Sequence, residues 1–128
     1  MSRFFAMTIP VLPGREAAWH QFMNELKGDK RKAYQASRRR LGVRERVFYQ
    51  QGATGNAVIL TFEGENAEGA WQMLATSDSP FSEWYFEQVA NIHGISVVDV
   101  LLTPPPPQLA DSGPVLEKTG APFSPSAS

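Results

Sequence analysis

Apolar residues along the first hundred positions fall into two periods, and the switches between them lay out the elements. From Arg3 to Val11 the period is two: Phe5, Met7 and Ile9 point one way while Phe4, Ala6 and Thr8 point the other, which predicts a strand apolar on both faces. Pro13-Gly14 breaks it. Trp19, Phe22, Met23 and Leu26 then follow at i, i+3, i+4 and i+7, a helical stripe closed by Gly28. A second helical segment, Asp29 to Leu41, carries the weaker stripe Tyr34, Ser37 and Leu41, with Gly42 where a left-handed C-cap is expected.

Period two returns at Val43 to Gln51, with Val43, Glu45, Val47 and Tyr49 against Arg44, Arg46, Phe48 and Gln50, and again at Ala57 to Glu63. The short Gly52-Ala53-Thr54-Gly55 link between them predicts a hairpin. Asn66 is placed to cap a helix with the stripe Ala67, Ala70, Trp71 and Leu74. Ser79 and Pro80 are placed as N-cap and first residue of another that ends at His93-Gly94. Ile95 to Leu102 reads as a last strand, its Ile95, Val97 and Leu101 face interrupted by Asp99.

The order is β-α-β-β-α-β, with each helical connection in two pieces. It predicts an α+β, ferredoxin-like fold with a four-stranded antiparallel sheet and, from right-handed crossovers, all helices on one face. Strands one, three and four are apolar on both sides, so the uncovered face predicts a second copy of the chain against it, a homodimer.

Composition sharpens this picture in three places. Seven of the ten prolines lie between Pro104 and Ser128. Four in a row cannot extend a strand, and they favour an extended spacer. The domain is therefore 1–103, and 104–128 is a Pro/Ser-rich tail: a solvated terminus, a strap over its own dimer or a docking peptide. The 128 residues hold 12 Lys and Arg against 13 Asp and Glu, and this net charge of −1 argues against a nucleic-acid partner. The absence of cysteine excludes disulfides, thiolate metal sites and a cysteine nucleophile. No apolar run reaches the length of a membrane span, and the expectation is a cytoplasmic protein without membrane, metal or cofactor.

Tyr34-Gln35-Ala36-Ser37-Arg38-Arg39-Arg40-Leu41-Gly42, followed by Arg44-Glu45-Arg46-Val47 and later by Asp78-Ser79-Pro80-Phe81 and His93-Gly94, resembles a small uncharacterised bacterial family of the dimeric α+β barrel superfamily. That superfamily includes antibiotic-biosynthesis monooxygenases, haem-degrading enzymes and polyketide cyclases. The resemblance covers residues 1–103. It implies a homodimeric barrel with a pocket between sheet and helices for a small aromatic or polyketide-like molecule, and cofactor-free proton transfer, cyclisation or oxygenation. Trp84 and His93 follow the superfamily's order of site residues, while Thr8 stands where its monooxygenases carry an asparagine.

Several residues are candidates for chemistry. His20, at the edge of the first helical stripe and four residues after Glu16, is either an oriented general base or an interfacial side chain. His93, at a helix C-terminus, is either a cap, favoured by the helix dipole, or a catalytic or haem-ligating group. Tyr34 offers a phenol as the third catalytic candidate. Gln88 is expected in the middle of the buried face of Phe81, Trp84, Tyr85, Val89 and Ile92, where its amide needs a partner: backbone, water or substrate. Trp84 and Tyr85 are core or pocket wall. Of Arg38, Arg39 and Arg40, spread over about 200° of helix, only Arg38 shares the Tyr34 side. Arg44 and Arg46 share a strand face, where they either clamp an anionic substrate or protect a sheet edge. Nucleotide, zincin and esterase motifs are absent. The sequence thus supports a small-molecule-binding barrel protein, with a non-catalytic interaction module using the proline-rich tail as its rival.

Overall fold

The structure, a computed structural model, describes residues 3–116. Its strands and helices follow in the order β1 (Phe4–Pro10), α1 (Glu16–Lys27), α2 (Arg31–Leu41), β2 (Val43–Gly52), β3 (Gly55–Gly64), α3 (Ala67–Ala75), α4 (Pro80–His93) and α5 (Val97–Leu102). The chain is α+β: among the described residues a three-stranded antiparallel sheet, in the order β1-β3-β2, is covered by helices on one side.

Local chemistry accounts for most boundaries. Gly42, at φ 71°, is the left-handed C-cap of α2, and its N–H donates back to Arg38 and Arg39 carbonyls. Asn66 and Ser79 cap α3 and α4 by accepting from the N–H groups of Gly69 and Ser82. The β2–β3 hairpin turns through Ala53-Thr54, with Gly52 paired to Gly55. Gly64 is required by close packing: a Cβ there would sit 2.2 Å from the Gly42 carbonyl oxygen, where the end of β3 meets the α2–β2 junction.

The alternation read from the sequence sets the two faces of the sheet. Phe5, Ile9, Val58, Leu60 and Phe62 face the helices and are buried among Trp19, Phe22, Trp71, Leu74, Val89 and Ile92. Phe5, Phe62 and Trp71 form a mutual aromatic cluster with centroid separations of 5.5–5.8 Å. On the other face Phe4, Ala6 and Thr8 of β1 lie across from Glu63, Thr61 and Ile59, and these from Arg44, Arg46 and Phe48. Phe48 is 53% exposed there.

The expected fourth strand, Ile95 to Leu102, is helical over Val97–Leu102. Ser96 and Asp99 explain the difference. The Asp99 carboxylate accepts the Ser96 N–H at 2.7 Å while the Ser96 hydroxyl accepts the Asp99 N–H at 3.2 Å, a reciprocal capping box. Asp99 is therefore an exposed capping group and not part of a sheet face. Val100 seats α5 by burying its side chain, leaving Val98, Leu101 and Leu102 exposed. After α5 the tail runs back past β1, so that Pro106, Pro107 and Gln108 line a groove together with Phe4 and Phe5. The part of the 104–128 tail beyond residue 116 lies outside the described residues. No helix among the described residues is long and apolar enough to cross a membrane.

Candidate functional site

Helix α2 and strand β2 are joined by a single residue, Gly42, so side chains one or two turns before it face those a few residues after it. Tyr34 and Arg38, i and i+4 on α2, both reach Glu45 of β2. The Tyr34 hydroxyl donates to Glu45 Oε2 at 2.6 Å, and Arg38 Nε donates to Glu45 Oε1 at 2.6 Å. Arg38 Nη1 donates to Ser37 Oγ at 2.9 Å. The Arg38 and Glu45 side chains are 5% and 1% exposed, so this is a buried ion pair.

Aromatic rings wall it in. The guanidinium carbon lies 4.7 Å from the Tyr85 ring centre and 5.0 Å from that of Tyr34. Arg38 Nη2 is buried and has no acceptor within hydrogen-bond geometry among the described residues, although the guanidinium lies beside the Tyr85 phenol and favours its ionised form.

These neighbours fix the protonation states. Burial works against charge on Arg38, but the Glu45 carboxylate, together with Tyr85 and Tyr34, more than offsets this and holds the guanidinium protonated. Burial, reinforced by the Glu45 charge, pushes the phenols of Tyr34 and Tyr85 well above their usual range. Tyr34 is thus a hydrogen-bond donor at any physiological pH, and both Glu45 oxygens are occupied.

The cluster forms one wall of an open groove of about 590 Å³ between the end of α1, helix α2 and the start of β2, with Leu26 and Val43 as apolar lining. By contrast, the space between sheet and helices where a ligand pocket is expected is packed. It leaves a cavity of about 30 Å³, lined among others by Trp19, Phe22, Val89 and His93, which is room for about one water molecule.

The structure brings together Tyr34, Arg38 and Tyr85 around Glu45; neither histidine bonds to them, although His93 lines the small internal cavity that Glu45 and Tyr85 also line. Glu45 pairs through Phe62 to Phe5, whereas His93 Nδ1 bonds the carbonyl of Pro10, five residues further along β1. Since a carbonyl only accepts, Nδ1 carries the proton at that 2.8 Å contact. Burial pulls the imidazole below its ordinary pKa, its bond to Pro10 offsetting only part of this. A neutral buried His93 locks the end of α4 to the end of β1 and gains nothing from the helix dipole as a cation. His20 is exposed, its ring against Trp19 and Tyr49, and it makes no hydrogen bond to Glu16.

Gln88 is half-buried rather than central to the core face, because Tyr85, Val89 and Ile92 take that stripe. No obligate partner is therefore required for its amide. Trp84 packs on Phe22 and Phe81, with the Lys30 ammonium 5.0 Å from its ring. Arg44 and Arg46 do share the outer sheet face. Arg46 is tied to Glu63 at 2.9 Å, and Arg44 reaches the groove rim.

Glu45 is the residue that candidate-picking from sequence missed. Its signal was visible: a carboxylate in the inward-facing row Val43, Glu45, Val47, Tyr49 must find a cation or a donor. No protein-family model, curated protein or solved structure matches the chain.

Proposed function

We propose that this protein binds a small organic molecule in the groove beside α2, with Tyr34 and Arg38 as its polar anchors. The observation that carries the reading is the buried Tyr34–Glu45–Arg38 cluster at the groove wall. A buried ion pair is often no more stabilising than apolar residues of the same volume, so its presence beside a groove of ligand size points to recognition. The hydroxyl proton of Tyr34 and both Glu45 oxygens are engaged within the cluster, so its unmatched donors are Arg38 N–H groups. That favours binding, and stabilisation of negative charge, over proton abstraction.

Fragment titration followed by amide chemical shifts tests this. Shifts clustered on residues 26–45 support the site. A screen in which no fragment moves them, or in which they cluster around His93, refutes it.

The strand order β1-β3-β2 with helical connections also fits a ferredoxin-like arrangement lacking its fourth strand, and we propose a homodimer closed over the outer sheet face. Exposed Phe4 and Phe48 on that face support it. Light scattering on Phe48→Asp is expected to give half the native mass. A native protein already monomeric refutes the dimer.

A further inference from the structure

Building on the reading of the α2 groove as a ligand site, we infer that its ligand is a small organic polyanion, carrying clustered phosphate or carboxylate charge on a partly apolar body. The groove is lined by five cations, Lys27, Arg31, Arg38, Arg39 and Arg44, and by one carboxylate, Glu45. Glu45 is spent on Arg38 and Tyr34, so it offsets the Arg38 charge and leaves the rim cations Lys27, Arg31 and Arg39 unopposed. Residues 1–103 balance acids and bases, and this concentration of one sign is therefore local.

Helix stability does not account for it. Cations near a helix C-terminus are favoured by the dipole, which suits Arg39 and Lys27. Arg31 is the first residue of α2, where the dipole disfavours a cation, and the first turn of α2 contains no acid to compensate. Among the described residues Lys27, Arg31 and Arg39 have no ion-pair partner.

The second observation lies deeper. Arg38 is a groove-lining side chain that is 95% covered, and its Nη2 is buried without an acceptor. A buried charged donor left unmatched is costly; Nη2 has no surface open to the groove, so an anionic oxygen there becomes its acceptor only with a small shift of the Arg38 side chain. The remaining lining, Leu26, Val43 and the Tyr34 ring, suits carbon rather than more charge, which separates an organic anion from a bare ion. A volume of about 590 Å³ sets the size at that of an ordinary metabolite.

The experiment is calorimetric titration of the full chain with inorganic pyrophosphate and, separately, with citrate, in low salt. Saturable binding of at least one probe is expected, weakening as salt rises. The stronger of the two identifies phosphate or carboxylate as the preferred charge. The variant Arg31→Ala/Arg39→Ala changes two exposed side chains and leaves the buried pair intact. It is expected to weaken binding about tenfold or more, the scale of two lost charge-assisted contacts. Arg40→Ala, exposed on the same helix but outside the groove, is expected to change it less than about twofold.

Equal losses in the two variants would mean diffuse attraction to a basic helix and would overturn the inference. So would failure of both probes to saturate. If neutral aromatic fragments shift the amides of residues 26–45 while neither anion binds, the polyanion fails and the ligand site stands. If nothing binds, both fall.

Discussion

Replacing Glu45 by glutamine is the sharpest probe of how the site is held. Glutamine keeps the size and shape of the side chain and an oxygen for the Tyr34 hydroxyl, but turns an NH2 toward the Arg38 Nε–H, so the change removes the charge together with one acceptor. What it leaves behind is a guanidinium 5% exposed, with no carboxylate beside it. Removing one partner of such a buried pair costs about 3–5 kcal/mol. Against a total stability of about 5–15 kcal/mol this is a large share, equivalent to roughly 15–30 °C in melting temperature for a domain of this size.

The same molecule supplies the control. Arg46–Glu63 has a similar 2.9 Å contact, but its side chains are 37% and 52% exposed, and Glu63→Gln is expected to cost at most about 1 kcal/mol. Urea denaturation followed by tryptophan fluorescence at neutral pH, with unchanged denaturant slopes, measures both. The triple variant Tyr34→Phe/Arg38→Met/Glu45→Leu removes the donors along with the charges and is expected to recover most of the loss, since apolar residues of similar volume replace buried ion pairs with little penalty. Equal small costs for Glu45→Gln and Glu63→Gln would refute the argument, because they would mean that water reaches Arg38 freely.

Other consequences are open to measurement. His93 has its folded pKa below the unfolded value of about 6.5, so the unfolded chain takes up the extra proton. The stability it contributes is complete above that unfolded value and is lost as pH falls from there toward the folded pKa. His93→Asn, which keeps a donor for Pro10, is expected to flatten the pH dependence of urea midpoints below about pH 6.5. Gly64→Ala is expected to cost about 3 kcal/mol, because its Cβ meets the Gly42 carbonyl. Gly42→Ala, with φ 71° but open space, should cost about 1–2 kcal/mol in the same melts. Asp99→Ala removes half of the α5 capping box and is expected to raise amide exchange over Val97–Leu102 without changing that of β3; equal protection of α5 in both proteins would discount the cap.

Much of the fold was legible because period and punctuation agreed. The inward row Phe5, Met7, Ile9, the stripe Trp19, Phe22, Leu26 and the capping residues Ser79, Gly42 and Gly94 all act where the pattern put them. Ile95 to Leu102 misled because its valines and leucines suit a strand by propensity. A local capping box decided the matter, and the pair Ser96 and Asp99 was readable as one.

The site was half legible. Helical spacing correctly put Arg38 with Tyr34. The partner they share lies on a strand, and only the turn at Gly42 determines that Glu45 returns to them. A histidine in a sequence draws attention for its titration range, yet His93 serves as a neutral link between backbone ends.

The Gly42 junction also bears on the order in which the molecule forms. Arg38 and Glu45 are seven residues apart and Tyr34 and Glu45 eleven, so the cluster closes a short loop and needs little chain entropy to assemble. The contacts between β1 and β3, by contrast, span 47 to 59 residues. Local contacts are the ones a folding chain reaches first. The helix-turn-strand unit of α2 and β2 can therefore assemble early, before β1 docks, so that the residues proposed for recognition are also among the contacts a folding chain reaches first.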